Sequence, residues 1–410
     1  MTLSDWAIDY VNLVLAVGRH DGNFVDAYYG PEAWKAVAEA GDPRPLAALQ
    51  AEAQRMIEGV AATEAPAEER VRRDFLLGQL GAVEAHLARL QGRVFSFDEE
   101  AEALYQVRPP QVSQATFDAA LARLDQVIAG PGSVQARYQQ AREKVLLPVD
   151  RVDAVFQAAI AEARERTRRH ASLPATDHFR VEYVTGKPWS AYNWYQGGGS
   201  SVIQVNLDLP IAMDRALDLA AHEGYPGHHV YNALLEQRFA QPAPEGKGWV
   251  EFTVYPLFSP QSLIAEGTAN FGIEVAFPGQ ERLTFERDVL FPLAGLDPTE
   301  AERWARVQAE MKVLAFADNE AARGYLDGSL TRAQAEAFLV TYSLRTEAQA
   351  AQRLRFIDTY RSYVINYNLG EQLVRDWVNR QGGTEDQPAQ RWEIFVDLIS
   401  SPRLPKGLGL

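Results

Sequence analysis

The chain contains no cysteine, so disulfides and thiolate ligands are excluded and any zinc site must be built from histidine and carboxylate. Basic residues are in deficit too. The 40 Lys and Arg stand against 55 Asp and Glu, a net charge of −15 that argues against a phosphate-backbone partner, so no nucleic acid is expected. No apolar run approaches the ~20 residues that span a bilayer. The start, Met1-Thr2-Leu3-Ser4-Asp5-Trp6, lacks the basic region and unbroken apolar core of a signal peptide. No membrane association is expected, and the cytoplasm is the expected location. The glycine run Gly197-Gly198-Gly199 lacks the Gly-Lys-Ser/Thr ending of a phosphate loop, and Gly199-Ser200-Ser201-Val202 lacks the second glycine of a nucleophile elbow.

Histidine is scarce as well, with seven in 410 residues, yet three of them fall in His222-Glu223-Gly224-Tyr225-Pro226-Gly227-His228-His229. A Glu directly after the first of two histidines is the order in which zinc hydrolases set a general base beside a metal-activated water. The spacing is stretched, however. Ligands four apart share a helix face, whereas His222 and His228 are six apart and fall on roughly opposite faces, ~240° around the axis. His222 and His229 share a face but are separated by a rise of ~10.5 Å. Pro226 cannot donate to the His222 carbonyl, and Gly224 and Gly227 tolerate unusual backbone, so a helix bulge is expected. A bulge absorbing two residues makes His228 the second ligand, and one absorbing three makes it His229. His228 needs the smaller distortion, which leaves His229 as a supporting group or substitute ligand.

A catalytic zinc takes three protein ligands and keeps one position open, so a third must come from elsewhere. Ser259 to Gly272 reads as a helix opening with a Ser cap and a first-turn Pro, with Glu266 in its second turn. Its small residues Gly267, Ala269 and Gly272 permit close approach to the metal-bearing helix. A lone helical Glu is usually a solvated surface charge. Glu274, eight residues on, is a candidate to orient a histidine ligand.

The run H-E-G-Y-P-G-H-H, with Glu266-Gly267-Thr268-Ala269 downstream, resembles a bacterial domain of unknown function carrying H-E-x-x-P-G-H-H. That family is similar to the carboxypeptidase Taq family of helical zincin peptidases, in which H-E-x-G-H supplies two ligands and the base. The resemblance covers about residues 180 to 280. It implies His222, His228 and Glu266 as ligands of one zinc ion, Glu223 as general base, and a large helical zincin-like fold.

Before the motif, Arg180 to Thr185 alternates like a strand, Gly186-Lys187-Pro188 turns, and Ser200 to Leu207 reads as a second strand, so a small sheet or hairpin should lie beside the active helix. An edge strand there can bind an extended substrate through its main chain, with Gly198 and Gly199 leaving room; the alternative is an ordinary Gly-rich loop. After the motif, Tyr360, Tyr363 and Tyr367 share one helical face. Such stripes are usually core. The resembled family also has a Y-x-x-x-Y-x-x-G pattern here, which makes Tyr363 and Tyr367 candidate oxyanion donors, while Arg361 is a candidate to hold a substrate carboxylate.

Apolar periodicity predicts amphipathic helices from Val71 to Leu90 and from Phe117 to Ile128, stopping at Gly92 and at Gly130-Pro131-Gly132. Asp150 is the expected cap of a further helix that ends in Arg164 to Arg169. Asp297-Pro298, Asp327-Gly328 and Thr346 punctuate three later helices. The expected architecture is mainly α: one domain over 1–410, with a helical half at 1–171 and a site-bearing half at 172–410 joined at Ser172 to Asp177. The expected function is a zinc-dependent hydrolase, in the first place a peptidase, carboxypeptidase-like as the resemblance implies, acting on a peptide or small amide. Non-peptide amides or esters would suit the same chemistry, and a metal-stabilised binding protein follows if no coordination position is open. The residues leave open which peptide end is attacked and the oligomeric state.

Overall fold

Several helix starts follow local capping chemistry, although Ser259, the expected cap of the helix Pro260–Ala276, stands at its N-cap without a side-chain bond. Thr2 with Asp5, Ser96 with Glu99, Thr331 with Gln334 and Thr346 with Gln349 each form a capping box, opening helices Leu3–Gly18, Phe97–Tyr105, Arg332–Tyr342 and Glu347–Tyr360. The two periodic runs of the N-terminal half are helices Arg70–Leu90 and Gln114–Val127. Asp150 is not a cap. It sits in a 3-10 turn, Val149–Arg151, and the helix Val152–Arg168 opens after Arg151 without a side-chain cap. The computed structural model describes residues 1–187, 189–240 and 248–409, and Pro188 of the expected turn lies outside them. The chain is mainly helical, with two small sheets among the described residues. No described helix is long and apolar enough to cross a membrane.

Strands β1 (Val25–Tyr28), β2 (His178–Val184), β3 (Ala191–Gly197), β4 (Ser200–Asn206) and β5 (Val254–Pro256) form those sheets. β1 pairs antiparallel with β5. β3 turns back on β4 through Gly198-Gly199, which leaves β2 to join the other edge of β4 in parallel, so the order is β2-β4-β3. Residues 191–197 are therefore a strand at an edge of the sheet, while Gly198 and Gly199 of the Gly-rich stretch form the turn after it. Tyr192 on β3 donates to the Asp26 carbonyl at 2.8 Å, which joins that edge to β1.

The helix Pro260–Ala276 runs through the core: of its 17 residues all but Asn270 and Glu274 are buried. It lies against the helix Ile365–Arg380, where glycine faces glycine. A Cβ on Gly267 would sit 2.4 Å from the Gly370 carbonyl, and one on Gly272 would sit 2.9 Å from the Pro226 ring. Small residues thus bring this helix against both the tyrosine-bearing helix and the histidine motif. Buried apolar side chains from Leu3 to Leu408 form one contiguous cluster around it.

Candidate metal centre

The motif is not a bulged helix but a broken one. Met213–Leu219 is α-helical, Ala220–Gly224 widens into a π turn, Tyr225 is extended (φ −116°, ψ 119°), and a new helix, His228–Leu235, begins after Gly227. Pro226 has no N–H to continue the ladder, and the amide of Gly227 donates back to the Ala221 carbonyl at 3.0 Å. This fold-back needs glycine. A Cβ on Gly227 would lie 1.8 Å from the His222 carbonyl oxygen. The break re-aims the second helix so that the His222 and His228 rings meet edge to face with centroids 4.6 Å apart.

Both imidazoles converge on one carboxylate oxygen. Glu266 Oε2 is 3.2 Å from His222 Nε2 and 3.7 Å from His228 Nε2. It is buried and, among the described residues, has no hydrogen-bond partner, whereas Glu266 Oε1 accepts the Tyr363 hydroxyl at 2.7 Å. His222, Glu223 and His228 each present a ligand atom within 4.8 Å of the others. Burial pushes the Glu266 carboxyl up, but the imidazoles of His228 and His222 more than reverse this and hold it well below the usual carboxylate range. Glu223 has the opposite balance. Burial, with the carboxylates of Glu266 and Asp26 adding to it, raises Glu223 to about 7 against the pull of His228 and Arg215. The two glutamates are therefore set apart electrostatically, one poised as an anion and one near neutrality.

No family model matches the chain, and no curated protein matches it in sequence. Solved structures do share its fold. A candidate lipoprotein from Colwellia psychrerythraea superposes with a TM-score of 0.56 at 15% identity, over 88% of this chain and 68% of that one. A candidate lipoprotein of unknown function from Shewanella oneidensis gives 0.50 at 14% identity, over 92% and 75%. An M32 carboxypeptidase from Deinococcus radiodurans R1 overlaps at only 0.36 and 13% identity, over 95% and 87%, which is too low to establish a common fold. The first two likenesses concern the fold alone.

The centre opens into a cleft of about 1880 Å³. Ala191 to Asn193 of the edge strand line it, together with Asp26, Tyr255, Tyr360, Tyr363 and Tyr367. Asn193 also donates to the main-chain carbonyl of Glu223 at 2.7 Å, tying the strand to the motif. The tyrosines do not share one helix as expected. The helix ends at Tyr360, Arg361 takes a positive φ of 52°, and a 3-10 turn leads into Ile365–Arg380. Tyr363 and Tyr367 remain close, with ring centroids 5.7 Å apart.

Several expected site residues have other partners. Arg361 donates to Glu100 at 2.6 Å and Ser362 bonds the same carboxylate, so Arg361 anchors the junction rather than a substrate. The Gly198 and Gly199 amides donate to Glu236 at 3.0 and 3.3 Å, which closes the β3–β4 turn and withdraws both from substrate. Glu274 is held by Arg375 and Lys312, and Asn270 takes the place expected for it beside His222, with Oδ1 2.8 Å from Nδ1. His229 is no substitute ligand in this arrangement. It is fully buried, with Nε2 2.8 Å from Asp177 Oδ1 and Nδ1 2.8 Å from Ser201 Oγ. Asp177, the last residue of the expected seam, also receives Arg164, Arg168 and the Tyr225 hydroxyl, which ties it to the helix Val152–Arg168 and to the motif beside His228. Sequence reasoning overlooked Asn270, Asn193, Asp26 and Asp177. Of these only Asn270 carried a usable signal, being one helical turn beyond Glu266.

Proposed function

We propose that the chain is a zinc-dependent hydrolase of the zincin type whose substrates are peptides. The observation that carries this reading is the buried, unpartnered Oε2 of Glu266 facing two imidazole nitrogens. Leaving such an anionic oxygen without a partner costs several kcal/mol in order of magnitude, and a divalent cation supplies the missing one. His222 Nε2, His228 Nε2 and Glu266 Oε2 would hold it, and two imidazoles with one carboxylate are a donor set that suits zinc. When bound, such an ion polarises a carbonyl and acidifies a water. Glu223 accepts a proton on its carboxylate and returns it to the leaving amine; a group near neutrality suits both steps. The Tyr363 hydroxyl is committed to Glu266, so the oxyanion donor in this reading is Tyr367. The cleft exceeds the ~300–1,000 Å³ of ordinary small-molecule sites, which favours an extended substrate laid along β3 over a small amide.

Metal analysis and kinetics test the reading together. The purified protein should hold close to one equivalent of zinc, and His222→Ala and Glu266→Ala should lose it. Glu223→Gln should keep the metal and lose roughly 10²- to 10⁴-fold in peptide hydrolysis. Full metal content in both ligand variants, or undiminished turnover in Glu223→Gln, refutes the assignment.

A further inference from the structure

His222 can turn a lone pair toward Glu266 when its proton sits on the opposite ring nitrogen, and a neighbouring amide decides where that proton goes. The Tyr367 carbonyl is 2.9 Å from Asn270 Nδ2, and a carbonyl only accepts, so the amide nitrogen must be the atom that faces it. Asn270 Oδ1 is thereby fixed as the atom 2.8 Å from His222 Nδ1. An amide oxygen also only accepts, so Nδ1 carries the hydrogen and Nε2 of the neutral ring keeps its lone pair. That lone pair faces Glu266 Oε2 at 3.2 Å, and the neutral ring in this tautomer has no hydrogen to place between the two atoms, which leaves the position to a cation.

We infer that Asn270 is the positioning residue of this centre: the chain from the Tyr367 carbonyl through Asn270 to His222 selects the tautomer whose Nε2 faces the ion. The inference rests on the metal reading above and adds the device that prepares the site for a cation. Asn270 follows Glu266 by four residues, so one helix delivers both the carboxylate ligand and the group that orients the histidine ligand. Residues 363 to 367 orient both ligands in turn, through the Tyr363 hydroxyl on Glu266 and the Tyr367 carbonyl on Asn270. A carboxylate is the commoner partner of a ligating histidine. Here a neutral amide fixes the ring without adding a further carboxylate to Glu223, Glu266 and Asp26.

Two substitutions separate this role from simple helix bracing. Asn270→Leu removes both bonds, whereas Asn270→Asp keeps an acceptor for Nδ1–H and loses the donor to Tyr367. The readouts are the His222 tautomer, from long-range proton–nitrogen NMR with and without zinc, zinc affinity by chelator competition, and melting temperature. Wild type should show Nδ1–H. Asn270→Leu should lose that preference and bind zinc about 10- to 100-fold more weakly, while Asn270→Asp keeps tautomer and affinity although both variants melt lower. Equal affinity losses in the two variants, or an unchanged tautomer in Asn270→Leu, overturn the inference, as does a wild-type His222 protonated on Nε2 alone, which needs no variant. Failure of the wild type to bind zinc would instead refute the metal reading, and the tautomer would still decide the role of Asn270.

Discussion

Tyr363 and Tyr367 look alike in sequence, but their hydroxyls face different tasks. Tyr363 is buried and donates at 2.7 Å to Glu266, a carboxylate 97 residues away, so its phenol stabilises the ligand. Tyr363→Phe should leave Glu266 Oε1 short of its donor, costing about 1–3 kcal/mol of stability and roughly 10-fold in zinc affinity. Tyr367 lines the cleft, and Tyr367→Phe should spare metal affinity and melting temperature while lowering kcat by about 10²-fold. Chelator competition and steady-state kinetics on the pair distinguish them, and a matched loss of kcat with unchanged metal affinity in both would mean that both phenols serve the transition state. The helical spacing of tyrosines marked the region. It could not say which hydroxyl a distant glutamate had already claimed, because that depends on how two helices cross.

Glycine decides how the elements meet, and the consequences differ sharply from one glycine to the next. Gly267 touches the Gly370 backbone, so Gly267→Ala must push the central helix away from Ile365–Arg380, at a cost of about 1–3 kcal/mol. Because Glu266 and Asn270 ride on the same helix, zinc affinity should fall with it. Gly81, inside helix Arg70–Leu90, has open space where a Cβ would stand, with nothing within 4 Å, and Gly81→Ala should be neutral or stabilise by about 0.4–1 kcal/mol. Thermal melts of the two variants check the contrast, and equal behaviour would mean that the helix contact is not tight. The small residues after Glu266 announced close packing in the sequence, and apolar periodicity with stop signals placed the N-terminal helices. The motif was harder. Six-residue spacing between His222 and His228 demanded a distortion, but a bulge and a complete break share the same Gly-Pro-Gly ingredients, and what selects the break is the return of the Gly227 amide to the Ala221 carbonyl.

Across the whole molecule, buried charges pair over distances in sequence that no local pattern reveals. Arg72 holds Glu251 at 2.7 Å with both side chains buried, Glu100 reaches Arg361, and Asp318 collects Arg345, Arg353 and the Ser343 hydroxyl. No motif or spacing marks their acidic members in the sequence, which is why the composition told of net charge but not of these ties. Asp318 gives them a measurable signature. Burial pushes its carboxyl up, yet the two guanidiniums outweigh this and hold it at about 2, against an ordinary value of 3.8. A carboxyl with a depressed folded-state pKa contributes stability that is present above its unfolded value and is lost as pH falls through the folded one. The window therefore runs from about pH 4 down to about pH 2, and the contribution is on the order of 2 kcal/mol. Asp318→Asn should be less stable than wild type by about that amount at neutral pH. The gap should close on acidification through the same window, because wild-type Asp318 then becomes neutral as well. Denaturant unfolding of both proteins at a series of pH values reads this directly. Parallel stability curves down to the lower end of the window would show that Arg345 and Arg353 do not depress the Asp318 carboxyl.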